Sequence, residues 1–273
     1  MTELHYSKKK KQLSSIAYTT WKRHFHFLSE ERAALQKRLQ QELKGQIGIV
    51  SHNKNEDILL IRTYSDRSLG SYYIYNSQTD ALQKISDVSP WLPEDDLSEM
   101  KPIQYQSRDG LTIHGYLTLP KGIPAQDLPI VVNPHGGPWV RDNWGFSPEV
   151  QFLANRGYAV LQMNYRGSTG YGRAFWEAGF KKWGLEMQDD ITDGVNWLIE
   201  KGIADKDKVA IYGGSYGGYM TNWIIGHTDR FKGAVTQRCV SNLISMLNTD
   251  TLEEAYRMRS YPSHYHHVWS EVV

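Results

Sequence analysis

A serine bounded by glycines lies in the C-terminal third of the chain, in the run Gly213-Gly214-Ser215-Tyr216-Gly217-Gly218. The apolar residues at 208–212 are typical of a strand, and those at 219–226 are typical of a helix. In that setting Gly-x-Ser-x-Gly predicts a nucleophile elbow, a sharp turn that lifts the serine hydroxyl above a sheet. The helix that follows directs its N-terminal amides toward developing negative charge. Ser215 is therefore the candidate nucleophile for acyl transfer.

Acyl transfer also requires amide donors for the oxygen that becomes negative. The amide after the nucleophile, Tyr216 N–H, is the first candidate. The second donor is expected in a loop after an earlier strand. His135-Gly136-Gly137-Pro138 follows a strand-like apolar run at 128–133. Because two glycines let backbone amides face a ligand, Gly136 or Gly137 is the second candidate donor.

Other glycine-rich sites fit the chain less well. No Gly-Lys-Ser/Thr follows the glycines at 213–218, which excludes a phosphate-binding P-loop. The same glycines lack the G-x-G-x-x-G spacing and lie at a late strand, which excludes a dinucleotide fingerprint. Either motif alone is common in ordinary turns, but the two occur in the order that a hydrolase requires, each after a strand.

The elements that must position these loops alternate between strand and helix. Asp109-Gly110 predicts a hairpin between 103–106 and 111–119. Further strands are predicted at 128–133, 158–163, 208–212 and 231–240, with helices at 147–155, 187–201 and 219–226. This alternation indicates an α/β fold with a doubly wound, mostly parallel sheet, as in α/β-hydrolases.

Residues 1–95 have a different character, because they are β-rich with one helix. Ser29 is a good N-cap for that helix, and leucines at four-residue spacing predict its apolar stripe. Strands are predicted at 46–51, 57–64 and 71–76. A loop rich in serine, proline and acidic residues at 87–103 marks a boundary, which predicts domains at 1–95 and 96–273.

The composition excludes several partners. Lys and Arg number 31 against 30 Asp and Glu, so the charge balance predicts neither a nucleic acid nor a membrane surface as partner. The basic run Lys8–Lys11 is interpreted as a solvated turn. No signal peptide or membrane-length apolar run is expected. Cys239, the single cysteine, is interpreted as a small buried hydrophobe, and a chain without an internal disulfide is expected in the cytoplasm.

Three segments resemble the prolyl oligopeptidase family of serine peptidases, and most closely its acylaminoacyl-peptidase and dipeptidyl-aminopeptidase branch. They are 133–138 (NPHGGP), 164–172 (NYRGSTGYG) and 213–220 (GGSYGGYM). The resemblance runs from the N-terminus to about residue 248. It implies a β-propeller before the hydrolase domain, of which 1–95 resembles the last part. It also implies that short peptides are the substrates and that no cofactor is used.

The same resemblance assigns roles to individual residues. Ser215 is the implied nucleophile, Tyr216 supplies an oxyanion amide, and the loop of His135, Gly136 and Gly137 supplies the second donor. Arg166 lies in a segment implied to be beside the site, and it is assigned a supporting role, as is His135.

The residues after Ser215 depart from this pattern. The fold encodes its triad in the order Ser, Asp, His, on later strands for which the chain leaves no room, so the triad Asp and His are expected to be missing. Asp250 with His264 or His267 has the right order but follows the nucleophile too closely. The histidines at 264, 266 and 267 lack a carboxylate or Cys partner at ligand spacing, so no metal is predicted. The chain is interpreted as a fragment truncated at both ends, with little activity and marginal solubility.

Three functions stay open at this point. The leading one is a serine peptidase that hydrolyses short peptides through an acyl-enzyme on Ser215. A small-acyl esterase and a catalytically impaired fragment or pseudoenzyme are the alternatives. The choice between endo- and exopeptidase, the side-chain preference and the oligomeric state are not determined by the sequence.

Overall fold

The computed structural model describes residues 3–243. Two compact units divide them: the first contains residues up to Glu99 together with Asn143–Gln151, and the second contains Met100–Asp142 and the residues from Phe152 onward. Residues 143–151, which the sequence predicts in the hydrolase domain, belong to the first unit. The domain division at residue 95 stays a prediction.

The first unit holds two antiparallel sheets and one helix. Strands β1 (Glu3–Ser7), β2 (Gln12–Thr19) and β3 (Arg23–Phe27) form one sheet, and helix α1 (Glu30–Glu42) follows it. Strands β4 (Gln46–His52), β5 (Ile58–Tyr64), β6 (Ser71–Asn76) and β7 (Ala81–Asp87) form the other, in that order. Strands β1, β2, β3 and β7 were not predicted, because polar residues interrupt the alternation of apolar residues in their sequences. The run Lys8–Lys11 is an exposed turn between β1 and β2, as predicted.

Helix α1 begins and packs as its sequence predicts. The Ser29 side chain accepts a hydrogen bond from the amide of Arg32, which satisfies one of the free amides of the first turn. Leu39 and Leu43 are buried on the face that meets the β4–β7 sheet, beside Ile47 and Ile61. Burial of this leucine stripe is what holds a short helix in place, since isolated helices of this length are marginal.

The second unit contains a six-stranded sheet. Its strands are β8 (Met100–Gln106), β9 (Thr112–Thr118), β10 (Leu128–Val132), β11 (Ala159–Asn164), β12 (Ala204–Gly214) and β13 (Gly233–Gln237), in the spatial order β8-β9-β11-β10-β12-β13. The strands β11, β10, β12 and β13 are parallel to one another. Strand β9 pairs antiparallel with both of its neighbours, β11 and β8. The predicted α/β fold with a mostly parallel sheet is confirmed.

The remaining helices are α2 (Pro148–Ala154), α3 (Arg173–Glu177), α4 (Glu186–Glu200) and α5 (Tyr216–His227). Helix α4 buries the predicted apolar face, which consists of Met187, Ile191, Val195 and Leu198, in the core of the second unit. Gly202 closes α4 with φ +69°, a conformation that favours glycine. Helix α3 was not predicted, because five residues are too few for a visible periodicity.

Strand β13 is shorter than the predicted strand at 231–240, and all of its residues are exposed. Cys239 therefore lies beyond the strand. Its side chain is half-buried, and its Sγ accepts a hydrogen bond from Asn222. The expectation of a buried Cys239 is wrong, because β13 ends at Gln237 and every residue of β13 is exposed.

No helix within residues 3–243 is long and apolar enough to cross a membrane. The cytoplasmic location stays a prediction.

The strand order places the two candidate loops side by side. Strand β10 lies between β11 and β12, and β10 is parallel to both. Loops that leave the carboxyl ends of neighbouring parallel strands emerge at the same edge of a sheet. The His135-Gly136-Gly137 loop after β10 and the Ser215 turn after β12 therefore meet at one edge.

Candidate active site

Ser215 occupies a strained turn between β12 and α5. Its φ is 55° and its ψ is −120°, a backbone conformation that residues with side chains rarely adopt. The turn is held from both sides, because the Ser215 amide donates to the Gln237 carbonyl at 2.8 Å and the Ser215 carbonyl accepts from the Tyr219 amide at 3.1 Å. Ser215 is exposed. The hydroxyl is thus lifted out of the core, as a nucleophile elbow requires.

The flanking glycines are required by space. A β-carbon on Gly213 would lie 2.2 Å from the carbonyl oxygen of Gly217, and one on Gly217 would lie 2.2 Å from the carbonyl oxygen of Pro134. Both neighbours are backbone atoms, which cannot rotate away as the end of a side chain can. The turn after β12 therefore forms only with glycine at these positions, which is the steric reason for the Gly-x-Ser-x-Gly pattern.

The backbone after β10 adjoins Ser215. A β-carbon on Gly136 would lie 3.2 Å from Ser215 Cβ and 3.8 Å from Ser215 Oγ. Gly137 has φ +116°, where a β-carbon would lie 2.9 Å from the Trp139 amide nitrogen. The loop thus brings Gly136, which has no side chain, close to the serine hydroxyl, and Gly137 follows it in the chain.

Backbone amides of both loops lack acceptors. Within residues 3–243, the amides of Gly136, Gly137 and Tyr216 donate to no carbonyl or side chain. Tyr216 is the first residue of α5, where amides have no partner inside the helix. Its ring is buried against Tyr165 and Trp183, which anchors the start of the helix. Amides of this kind are the donors that an oxyanion uses.

His135 belongs to the scaffold of the loop, and none of its hydrogen bonds within residues 3–243 goes to Ser215. Its Nε2 lies 2.9 Å from Ser168 Oγ, and its Nδ1 lies 2.7 Å from the Gly136 carbonyl oxygen. The ring stacks on Tyr165 at 4.3 Å, and the Tyr165 hydroxyl donates to the His135 carbonyl at 2.8 Å. Burial lowers the pKa of His135 to about 4, so the ring is neutral at pH 7. Tyr165 and Ser168 were not singled out from the sequence, where only their place in the 164–172 segment marks them.

Arg166 is a buried cation with two carboxylate partners. Its Nε and Nη2 donate to the two oxygens of Asp190 at 2.9 and 2.7 Å, and its Nη1 donates to Asp109 at 2.7 Å. Burial opposes the charge on Arg166, but its hydrogen bonds to Asp190 and Asp109 raise its pKa. The Arg166 amide also donates to Asp190 at 2.9 Å, so the ion pair fixes the loop beyond β11 on helix α4. Arg166 shapes the segment that holds His135.

A general base for Ser215 was not found in the described part of the chain. Within residues 3–243, the Ser215 hydroxyl has no hydrogen-bond partner. The candidates Asp250, His264 and His267 lie outside the described residues, as does His266. No group of His, Cys, Asp or Glu between residues 3 and 243 could hold a metal ion.

Known proteins are similar to this chain in sequence and in fold. Residues 144–271 match the prolyl oligopeptidase family. The chain is 42% identical, over 186 residues, to dipeptidyl aminopeptidase BIII of Pseudoxanthomonas mexicana, which covers 65% of this chain and 27% of that protein. It belongs to the prolyl oligopeptidase family.

Two further proteins, which carry other names, are also similar in sequence to this chain. Dipeptidyl peptidase family member 6 of Caenorhabditis elegans is 35% identical over 225 residues, which cover 74% of this chain and 30% of that protein. The acylamino-acid-releasing enzyme of Arabidopsis thaliana is 34% identical over 140 residues, which cover 50% of this chain and 18% of that enzyme. The chain thus spans under a third of the length of these relatives.

Solved structures of the family share the fold. A puromycin-hydrolyzing peptidase of Mycobacterium tuberculosis superposes with a TM-score of 0.68 at 27% identity, over 79% of this chain and 35% of that one. The acylaminoacyl peptidase of Pyrococcus horikoshii superposes with a TM-score of 0.69 at 22% identity, over 91% of this chain and 40% of that one. The family match continues to residue 271, so the end of the resemblance at about residue 248 is wrong.

Proposed function

We propose that this chain carries the nucleophile and the oxyanion donors of a serine peptidase that hydrolyses short peptides through an acyl-enzyme. Ser215 is the nucleophile, and the amides of Tyr216 and of Gly136 or Gly137 are the donors. The observation that carries the proposal is the exposed Ser215 on its strained turn, with the Gly136 backbone beside its Oγ. The peptidase names of similar proteins support peptides as the substrate class.

The chemistry follows from this arrangement. Ser215 Oγ attacks the carbonyl carbon of the peptide bond while its proton passes to a base. The carbonyl π electrons move onto the oxygen, and the negative charge is stabilised by the amides that lack acceptors. When the tetrahedral intermediate collapses, the C–N bond breaks and the amine takes up the proton. Water then attacks the serine ester by the same steps, which releases the acid and restores the hydroxyl.

A catalytically impaired chain is the second candidate, and one observation favours it. Ser215 Oγ has no histidine or carboxylate partner within residues 3–243. Without a base, a serine hydroxyl is a weak nucleophile at neutral pH. The donors and the elbow would then supply only the residual rate that remains after triad members are removed.

Chromogenic substrates separate these candidates. The purified chain and the Ser215→Ala variant are compared on an aminoacyl-p-nitroanilide and on a short-chain p-nitrophenyl ester. Release of p-nitroaniline that disappears in Ser215→Ala supports the peptidase. Turnover of the ester alone favours an esterase. Absence of both reactions, from protein whose circular dichroism shows a folded state, favours the impaired chain.

A further inference from the structure

Arg32 in the first unit has a setting that differs from that of Arg38, the other arginine of helix α1. It lies in the first turn of α1, and its guanidinium carbon lies 5.8 Å from the ring centre of Phe25 and 5.3 Å from that of Phe27. The two rings belong to β3 and stand 6.0 Å apart with an angle of 11° between their planes. Phe25 and Phe27 therefore form one aromatic wall, against which the guanidinium lies.

One edge of this guanidinium is open. Nη1 donates to Gln36 Oε1 at 3.1 Å, but Nε and Nη2 have no acceptor within residues 3–243. Neither of these two nitrogens is among the polar atoms that are buried without a partner, so each retains some solvent-accessible surface. Nε–H and Nη2–H point in parallel, and this pair is the fork that binds both oxygens of a carboxylate.

The charge of Arg32 is also uncompensated in the described part of the chain. The nearby acids are engaged elsewhere, since Glu31 pairs with Lys10 and Glu3 pairs with Arg23. Burial lowers the pKa of Arg32 to about 10, and no carboxylate raises it again. The group is still a cation at pH 7, so it is a recessed positive charge.

Arg38 provides the contrast on the same helix. It pairs with Asp80 and with Glu42, each at 2.7 Å, and its hydrogen bonds to these two carboxylates raise its pKa. Arg38 is thus an arginine of this unit whose charge is compensated by carboxylates of the protein itself. A partly buried arginine without one retains its capacity to bind an anion from solution.

We propose that Arg32 is the anchor of a binding site for a carboxylate ligand, with Phe25 and Phe27 as the apolar wall beside it. The planar fork selects a carboxylate, and the wall selects an apolar group next to it. The free C-terminus of a peptide that ends in an apolar residue has both features, and so does a small organic acid with an apolar tail. The site is independent of the chemistry proposed for Ser215.

N-acetylleucine tests the proposal, with N-acetylleucinamide as the neutral match. Binding is followed by the chemical shift of the Arg32 Nε–Hε group and by isothermal titration. The amide, which cannot occupy the fork as an anion, is expected to bind at least about tenfold more weakly. The Arg32→Lys variant keeps the charge but loses the fork, and we expect a similar loss. Arg38→Lys is the matched control and is expected to bind N-acetylleucine as the parent does.

Further ligands identify the source of the carboxylate, and several results would contradict the proposed site. Acetyl-leucyl-leucine and its C-terminal amide distinguish a peptide terminus from a small acid, and either source supports the site. Equal binding of N-acetylleucinamide and N-acetylleucine by the parent protein would overturn it, even if Arg32→Lys failed to fold. The proposal is equally overturned by undiminished binding to a folded Arg32→Lys, by tighter binding of inorganic phosphate, or by no saturable binding at all.

Discussion

Gly136 lies against Ser215, so closely that a β-carbon on the glycine would stand 3.2 Å from Ser215 Cβ and 3.8 Å from its Oγ. The two residues follow β10 and β12, which are neighbours in the parallel part of the sheet. The sheet thus sets the separation between the candidate nucleophile and the candidate donor loop. Side chains added at this contact are expected to disturb the chemistry before they disturb the fold.

The Gly136→Ala variant tests that contact. The added methyl group meets Ser215 Cβ and the Gly214 carbonyl oxygen, each at 3.2 Å, so the loop must shift by a few tenths of an ångström. Misplacement of donors on this scale is expected to slow acylation of Ser215 by about tenfold to a hundredfold. The rate is measured with an activated ester, and Gly226→Ala, whose new methyl group meets open space in α5, is the control. Equal rates for Gly136→Ala and the parent would contradict the donor assignment.

Gly217→Ala is expected to act on stability. Its β-carbon would stand 2.2 Å from the Pro134 carbonyl oxygen, a backbone atom. Because the elbow and the loop after β10 must separate to admit it, we expect a loss of more than about 2 kcal/mol in the free energy of unfolding. Urea denaturation measures the change. Gly226→Ala, which replaces a helical glycine, is the control and is expected to keep or raise stability. If Gly217→Ala lost no more stability than Gly226→Ala, the steric account would be refuted.

Arg166→Met leaves the buried carboxylate of Asp190 without its cation. Removing one partner of a buried ion pair typically costs about 3 to 5 kcal/mol, because the other charge stays desolvated. We expect a loss of this size in urea denaturation. The control is Arg173→Met, which breaks the exposed pair with Glu177 and is expected to cause no measurable change. Similar stabilities for the two variants would show that the Arg166 pair does not hold the loop.

Asp142 predicts a pH dependence of stability. Its Oδ2 is buried without a hydrogen-bond partner in the described residues, and burial raises its pKa to about 7 from 3.8. A carboxyl whose pKa is raised by folding favours the folded state when protonated, so its contribution is complete below pH 3.8 and is lost as pH rises to about 7. Asp142→Asn removes this loss. Between pH 5 and 8 the variant is therefore expected to gain stability relative to the parent, as measured by urea denaturation, and parallel pH profiles would be evidence against it.

A base for Ser215 can be supplied from solution. Since Ser215 Oγ has no basic partner within residues 3–243, added imidazole is expected to accelerate acylation of Ser215 in proportion to its free-base concentration. His264→Ala and His267→Ala are expected to leave the rate unchanged. A rate that is insensitive to imidazole but falls in either histidine variant would instead assign the base to residues outside the described part.

Local chemistry made much of this site predictable from sequence. Ser29 caps the start of α1, the leucine stripe sets the buried face of α1, and Gly202 follows the end of α4, as local sequence preferences predict. The elbow was predictable for the same reason, because only glycine fits at 213 and 217. The proximity of Gly136 to Ser215 depends on β10 and β12 being parallel neighbours, a strand order that was not predicted from the sequence.

Long-range contacts were not predictable in the same way. Arg166 was placed beside the site only by family resemblance, and nothing local indicates that Asp109 and Asp190 enclose it. The contact of Ser168 with His135 joins residues from different loops, and the sequence pattern of neither loop encodes it. Cys239 was misplaced because the end of β13 depends on its pairing with β12 and not on the apolar run itself.

Site mapping with a fluorophosphonate probe tests the central claim most directly. The purified chain is incubated with excess probe, digested and analysed by mass spectrometry, with Ser215→Ala treated in parallel. We predict a phosphonyl adduct on Ser215 alone, formed slowly without added imidazole and absent in Ser215→Ala. An adduct spread over other exposed serines, or labelling that persists undiminished in Ser215→Ala, would contradict Ser215 as the nucleophile.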